Sequence, residues 1–169
     1  MERRLTEERQ YARDAKALEP VTLRRLSPSS RCLVEAAESA ARSRDDDHVG
    51  TEHVMLGVWA LGRRAATRAL ESVGITRQVF VSQLKDEAGT SPRGKIPFTT
   101  RARMIIALAG SEAKHVGSAA VEPEHILLGV IRESQRWEAT GVEGPHHLRH
   151  AADAAGTSLS ALEQRLSEE

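Results

Sequence analysis

The feature that most constrains this chain is an internal repeat. Residues Gly50–Val58 read GTEHVMLGV and residues Glu122–Val130 read EPEHILLGV, a shift of 72 residues between the equivalent histidines. The same shift relates Leu26–Arg31 to Phe98–Arg103, so two copies of one unit follow each other, here termed copy one and copy two. Neither copy is long enough to bury a good core alone, so we expect them to pack on each other about a pseudo-twofold axis. The function is then expected at the repeated motif or in the groove between the copies.

Composition narrows the class of protein. A length of 169 residues suits one domain, and 24 basic residues balance 24 acidic ones. This balance and an aromatic content of 3% argue against a nucleic-acid-binding surface. One cysteine, Cys32, excludes an internal disulfide and a cysteine-cluster zinc site. Without an apolar run of membrane-spanning length or a signal-peptide core, the chain is predicted to be cytoplasmic and to bind no membrane.

Helical signals recur in both copies. Copy one opens with Ser27 as an N-cap and Pro28 in the first turn. Apolar residues then follow at helical spacing, and copy two repeats this stripe: Leu33, Ala36, Ala37, Ala40 and Ala41 in copy one, Ile105, Leu108, Ala109 and Ala113 in copy two. A second helix starts at each repeated motif, a third ends at Gly74, and a fourth begins at Thr76, with its counterpart after Gly156. No alternating pattern competes, so the sequence predicts an all-α fold of two four-helix units.

Four segments follow from these signals. Residues 1–25 are highly charged and predict a short amphipathic helix or a frayed tail, which Pro20 ends in either case. Copy one is assigned to residues 26–88 and copy two to residues 98–169. Residues 89–97 are rich in turn formers and predict a linker.

Copy two contains extra residues. The glycines that end the third helices, Gly74 and Gly156, are 82 residues apart, so about ten residues are added within copy two. We place them in an insert near residues 135–150. This insert contains His146, His147 and His150. Such histidines could bind a transition metal, but a flexible insert explains them better.

Three features resemble the Clp repeat domain: the doubled Glu-His-x-x-Leu-Gly motif at Glu52–Gly57 and Glu124–Gly129, the linker end Ile96–Thr99 and the block Ala69–Ile75. The Clp repeat domain is the amino-terminal substrate- and adaptor-binding domain of ClpC-type ATP-dependent unfoldases. The resemblance covers about residues 23–166, and no ATPase module follows it in this sequence. It therefore implies a stand-alone protein of the actinobacterial type that binds without catalysing. The implied partners are marked protein substrates or adaptors of the Clp protease.

Other chemistry is weakly supported. Residues 89–95 read GTSPRGK and approach a phosphate-binding loop, but Ile96 replaces the required hydroxyl and Pro97 prevents an immediate helix. The single Glu-His pair in each copy supplies too few ligands for a metal. The sequence accordingly predicts no catalytic residue, no metal and no cofactor.

In the family, the motif glutamate belongs to a site for phosphorylated arginine, which maps here to Thr51, Glu52 and Glu124. The chemistry fits, because a carboxylate pairs with a guanidinium while the N–H groups of a helix start bind phosphate oxygens. Copy two has Glu122 and Pro123 in place of Gly-Thr, which removes one N–H and adds a repelling charge. Glu52 is therefore expected to be the better site.

Each residue of the motif also has a structural alternative. A glutamate in a first helical turn is stabilised by the helix dipole by up to about 1 kcal/mol, with or without a ligand. For His53 and His125 we expect a packed or capping imidazole.

The family also binds macrocyclic peptide antibiotics in the groove where the linker meets copy two. The matching positions are Leu23, Leu26, Lys95, Pro97, Phe98 and Arg103. Phe98, stiffened by Pro97, would be the aromatic anchor. Alternatively, Phe98 is a core residue between the copies.

The sequence thus supports a non-catalytic binding protein with two candidate roles. It would recognise proteins, including phosphoarginine-marked ones, or sequester cyclic peptide antibiotics that target ClpC. A different class stays open: a regulatory or adaptor scaffold that acts through residues 1–25 and the insert at 135–150.

Overall fold

The computed structural model describes residues 2–84, 90, 93–140 and 146–169, with only the backbone described for residues 2–5 and 140. The described residues form nine helices: α1 (Glu2–Leu23), α2 (Pro28–Ser43), α3 (Thr51–Ala60), α4 (Ala65–Ser72), α5 (Arg77–Ser82), α6 (Thr100–His115), α7 (Pro123–Thr140), α8 (His147–Ala154) and α9 (Leu159–Ser167). The described residues contain isolated β-bridges but no strand, which confirms the all-α prediction. None of the described helices combines the length and apolar character that crossing a membrane requires.

Helices α2–α5 and α6–α9 are the two predicted four-helix units, and their ends are built alike. The side chains of Ser27 and Thr99 cap α2 and α6, each accepting a hydrogen bond of 3.1 Å from the backbone N–H three residues later. The third helix of each copy is followed by a glycine in the left-handed region, with φ of 83° at Gly74 and 68° at Gly156. Local sequence therefore specifies the same helix boundaries twice.

The glycine of each repeated motif allows a close helix crossing. A Cβ atom on Gly57 in α3 would lie 2.5 Å from the carbonyl oxygen of Leu33 in α2. In copy two, a Cβ atom on Gly129 would lie 2.5 Å from the carbonyl oxygen of Ile105 in α6. Only a residue without a side chain fits either crossing.

The residues that lead into each copy cross to the other copy. Leu26 forms a parallel bridge with Val121, and Phe98 forms the equivalent bridge with Val49. The backbone N–H groups of Val121 and Val49 each donate at 2.8 Å to the carbonyl of the residue before the bridge partner. Helix α4 also contacts α9, as α5 contacts α8. The two copies are thus interlocked about a pseudo-twofold axis, as predicted, and one main hydrophobic core contains residues of both.

Helix α1 differs from the prediction. It continues through Pro20 to Leu23 instead of ending at the proline. Its residues Tyr11 and Ala15 are buried against α6, and Glu19 and Thr22, on either side of Pro20, are buried as well. Pro20 itself is exposed, so its ring lies on the solvent side while the buried side keeps its packing. The expectation that Pro20 ends the helix was wrong because tertiary packing outweighs the lost backbone hydrogen bond.

The insert of copy two also differs from the prediction, because most of it is helical. Helix α7 has 18 residues against 10 in α3, and its added turns place Trp137 against Tyr11 of α1, with ring centroids 5.4 Å apart. His147 and His150 lie within α8 rather than in a flexible loop. Residues 141–145 lie outside the described part of the chain.

The end of the linker packs on copy one. Ile96 is fully buried in a small cluster with Ala37, Ala41 and Val49, and the carbonyl of Gly94 accepts a hydrogen bond from Arg42. Three residues of the 89–95 segment compared with a phosphate-binding loop, at positions 89, 91 and 92, lie outside the described residues. Its described end serves as a structural tether.

Candidate functional site

Glu52 lies in the first turn of α3, where its side chain is 16% exposed. The carboxylate folds back over Gly50, the N-cap residue, and a Cβ atom on Gly50 would collide with it. Copy two has Glu122 at the equivalent position. The side chain of Glu122 therefore prevents Glu124 from adopting the conformation of Glu52. The glycine of the motif therefore sets the position of the Glu52 carboxylate.

Three imidazoles surround this carboxylate. One oxygen of Glu52 lies 3.7 Å from Nε2 of His48 and 3.6 Å from Nδ1 of His53, and the other lies 3.7 Å from Nε2 of His147. His48 and His53 belong to copy one, whereas His147 belongs to α8 of copy two. These four residues, termed the Glu52 cluster, therefore lie at the boundary between the copies.

His53 has a structural role. Its ring is fully buried, its Nδ1 accepts a hydrogen bond of 2.9 Å from the backbone N–H of Gly50, and its Nε2 donates to Asp46 at 2.7 Å. In copy two, Nδ1 of His125 accepts from the backbone N–H of Glu122 at the same 2.9 Å. The prediction of a capping imidazole is confirmed for both histidines.

The pKa values of the two other imidazoles of the cluster are shifted in opposite directions. The hydrogen bond with Asp47, 2.8 Å long, raises the pKa of His48, and the charge of Glu52 adds to this effect. Burial lowers the pKa of His147, against the opposing charge of Glu52. Of these two imidazoles, His48 thus more readily carries a positive charge near neutral pH.

Thr51 is less accessible than its neighbour. It is buried, and it lines a cavity of only about 10 Å³ together with Arg101, Glu133 and His147. Such a cavity holds at most one water molecule. The structure brings Thr51 and Glu52 together, but only the Glu52 carboxylate reaches the surface.

The second candidate carboxylate lacks these neighbours. Glu124 lies in the first turn of α7, partly exposed, directly after Pro123. The positions equivalent to His48 and His147 are Ala120 and Ala65. The Glu52 and Glu124 carboxylates therefore have different neighbours: imidazoles lie beside Glu52, and alanines occupy the equivalent positions beside Glu124.

The predicted antibiotic groove is brought together only in part. Lys95 and Pro97 are exposed, and Phe98 follows them, partly buried against both the main core and the Ile96 cluster. Leu26 is buried in the bridge with the other copy.

The remaining groove residues lie beside α1. Leu23 is 38% exposed at the end of that helix, and Arg103 of α6 forms an ion pair of 2.9 Å with Glu19. Helix α1 therefore occupies part of the surface that the sequence assigned to a ligand.

A buried ionic network was not foreseen from the sequence. The Glu133 carboxylate, 1% exposed, accepts from Nε and Nη2 of Arg101 at 2.5 and 2.9 Å and from the Tyr11 hydroxyl at 3.2 Å. The Arg101 guanidinium also lies 5.0 Å from the Trp137 ring centroid. Burial, with Glu133 beside it, raises the pKa of Tyr11 far above its ordinary value. A glutamate on the buried face of α7 was the available signal, and it marks the site that locks α1 to copy two.

Metal binding gains no support from the geometry. Within the described ranges, no three His, Cys, Asp or Glu side chains are arranged to hold an ion. The Glu52 cluster is thus better suited to ionic hydrogen bonding than to coordination.

Comparison with known proteins places the chain in a family. The sequence model of the Clp repeat (R) N-terminal domain matches residues 3–73 and 25–139. The chaperone protein ClpB of Oceanobacillus iheyensis is 34% identical over 113 residues, and the negative regulator of genetic competence ClpC/MecB of Bacillus subtilis is 33% identical over 109 residues. Each alignment covers 63% of this chain and only 13% of the relative.

The fold agrees with a solved relative. The crystal structure of the N-terminal domain of the caseinolytic protease associated chaperone ClpD from Arabidopsis thaliana aligns with a TM-score of 0.57 at 18% identity. The alignment covers 86% of this chain and 96% of that one, which shows a shared fold over nearly the whole domain. With its interlocked four-helix copies and its doubled motif, the chain belongs to the Clp repeat (R) N-terminal domain family.

Proposed function

We propose that this chain is a non-catalytic protein-interaction domain that recognises arginine-phosphorylated proteins through the Glu52 cluster. The observation that carries the proposal is the carboxylate itself. Glu52 is partly exposed at a helix start and surrounded by imidazoles, and Gly50 contributes no capping side chain to α3. Such a site places a negatively charged carboxylate and imidazoles that can carry a positive charge within one small area.

Phosphoarginine has a guanidinium group that pairs with negative charge and a phosphate that pairs with positive charge. Its guanidinium group can donate to the Glu52 carboxylate, as arginine does in ordinary ion pairs. Its phosphate can accept from the first-turn N–H groups of α3 and from the protonated form of His48. An unmodified arginine would use only the carboxylate and should bind more weakly.

The unequal copies support a single site. Glu124 has alanines where Glu52 has His48 and His147, and Glu122 adds a negative charge beside it. A phosphate at copy two would meet repulsion without a compensating imidazole. We therefore assign recognition to copy one.

The test is calorimetric titration with phosphoarginine, with arginine and inorganic phosphate as reference ligands. Replacing Glu52 by Gln keeps the shape and removes the charge, so binding should weaken by about 1–3 kcal/mol. The matched control is Glu124→Gln, which should leave the affinity nearly unchanged. Circular dichroism of both variants checks that the helices are retained.

Two outcomes would overturn the proposal. Equal losses in both variants would place the ligand elsewhere or at both copies. Binding untouched by Glu52→Gln would leave Glu52 with its helix-dipole role alone.

A cyclic peptide antibiotic at the linker groove is a second candidate ligand. It is supported by exposed Lys95 and Pro97 beside the partly buried ring of Phe98. Titration with such a peptide should saturate and should not compete with phosphoarginine. A scaffold that acts through residues 1–25 and the insert at 135–150 would instead bind neither ligand.

A further inference from the structure

A second surface of copy one is open and largely apolar. Helices α2, α3 and α5 enclose a groove of about 520 Å³, termed the α2–α3 groove. Its apolar lining consists of Ala36, Ala40, Leu56, Trp59, Ala60 and Val81. The volume falls within the range of natural ligand pockets. This groove is separate from the Glu52 cluster, so it is not explained by phosphoarginine recognition.

Copy two has filled the equivalent space with charges. Arg132 of α7 donates from Nε to Glu112 of α6 at 3.0 Å and forms an ion pair of 2.6 Å with Glu163 of α9. These three side chains bridge the same three helices of copy two. The equivalent positions in copy one are Ala40, Ala60 and Val81. The same backbone thus carries an ionic plug in one copy and an open groove in the other.

The charged residues that line the open groove are basic. Among the described residues that line it, the charged ones are Arg44 and Arg77. Arg44 lies 3.4 Å from Asp46 and is partly neutralised, whereas Arg77 is exposed at the start of α5. The groove therefore favours a ligand that carries negative charge beside an apolar group.

The Trp59 indole is the aromatic residue of the groove lining. Its ring packs on Phe80, with centroids 5.1 Å apart, and its Nε1 is buried without a hydrogen-bond partner among the described residues. Tryptophan N–H groups usually find an acceptor when they are buried. The Trp59 ring therefore serves as a reporter of what binds in the groove, and the apolar lining and the basic side chains define the ligand.

We propose that the α2–α3 groove binds an acidic amphipathic segment of a partner protein. Leucine-type side chains of the segment fill the apolar floor around Trp59, and its carboxylates face Arg77 and Arg44. The ion pairs of Glu112, Arg132 and Glu163 keep copy two from binding the same segment. Recognition by docking a helix into an apolar groove with complementary charges at its rim is a common mode of peptide binding.

The probe is a synthetic amphipathic peptide of about 15 residues with leucines at helical spacing and glutamates beside them. A peptide with lysines in place of the glutamates is its matched control. The chain has two tryptophans, so Trp137→Phe leaves Trp59 as the only indole. In that background the glutamate peptide should shift the Trp59 emission to the blue and saturate, and the lysine peptide should not.

The decisive variant installs the plug of copy two in copy one. Ala40→Glu, Ala60→Arg and Val81→Glu together should weaken binding of the glutamate peptide at least ten-fold. Because this triple variant alters packing, Arg77→Glu serves as a second variant at an exposed site. It should weaken the glutamate peptide several-fold and strengthen the lysine peptide. No saturable shift with the unaltered groove, equal binding of both peptides, or affinity unchanged by Arg77→Glu would each overturn the proposal.

Discussion

Copy one and copy two share the same arrangement of helices and differ in the side chains that this arrangement brings together. Both are capped in the same way, both cross at a glycine, and both bridge to the other copy. Copy one surrounds its motif glutamate with imidazoles and keeps the α2–α3 groove open. Copy two places ion pairs in the equivalent space between α6, α7 and α9 and buries a further ionic network under α1. This difference supports the proposal that recognition belongs to copy one, while the ionic networks of copy two reinforce the structure.

The largest expected effect tests that reinforcement. Glu133→Ala removes the carboxylate that pairs with Arg101 and Tyr11 in a buried site. The guanidinium then loses its main counter-charge, so the free energy of unfolding should fall by about 3 kcal/mol. Chemical denaturation followed by circular dichroism measures it.

The control for this variant is an exposed ion pair in α9 of copy two. Arg165 and Glu168 are both about half-exposed, so Arg165→Gln should cost less than about 1 kcal/mol. Similar losses for the two variants would contradict a special structural role for copy two.

The bridging residues should have a somewhat smaller effect that is nearly equal in the two copies. Leu26 and Phe98 occupy equivalent positions and both pack into the shared core. Truncating either to alanine should destabilise the domain by about 2 kcal/mol, since each leaves a cavity between the copies. Thermal unfolding compares the two variants directly. A loss at Leu26→Ala without one at Phe98→Ala would show that Phe98 is a surface anchor and would strengthen the antibiotic hypothesis.

The glycine crossings test how closely the copies match. Gly57→Ala and Gly129→Ala each place a Cβ atom 2.5 Å from a backbone carbonyl oxygen. Each variant should lose about 1–2 kcal/mol through overpacking. Denaturant titration that gives clearly unequal losses would show that one crossing relaxes more readily than the other.

The smallest effect concerns pH. Burial lowers the pKa values of His125, His146 and His147, whereas the hydrogen bond with Asp47 raises that of His48. Where a pKa is lowered, the unfolded chain binds the proton more readily, so stability falls as the pH drops below about 6.5. His48 acts in the opposite sense. The net result should be a modest decrease in melting temperature between about pH 7.5 and about pH 5.5.

His147→Gln should reduce this decrease, because it removes one of the three groups that resist protonation. The change should stay below about 1 kcal/mol. A steeper decrease in the variant would mean that His147 is stabilised in its charged form by Glu52.

Much of the fold could be predicted because its signals are local and doubled. The N-caps at Ser27 and Thr99 and the left-handed Gly74 and Gly156 each specify a helix boundary in their own vicinity. Repetition at a fixed shift then confirms each boundary independently. The capping role of His53 followed from the same local logic.

The features that the sequence did not predict depend on contacts between residues distant in sequence. Nothing near Pro20 shows that Glu19 and Thr22 are buried on α6, and that packing keeps α1 helical. Likewise, Glu52 meets His147 only because α8 of copy two reaches copy one. The candidate glutamate was thus identified from the motif, whereas its electrostatic surroundings required the tertiary structure.

The crossed lead segments have a consequence for how such a domain can arise. Two separate chains, each a single copy with its lead segment reaching over the other, would form a closed twofold dimer with the same bridges. Joining them through residues 89–97 replaces a bimolecular encounter by an intramolecular one, with an effective concentration of roughly millimolar. The fused pair no longer depends on protein concentration, and its halves are free to diverge. The ionic plug of copy two and the imidazoles of copy one are differences that an obligate homodimer could not have carried.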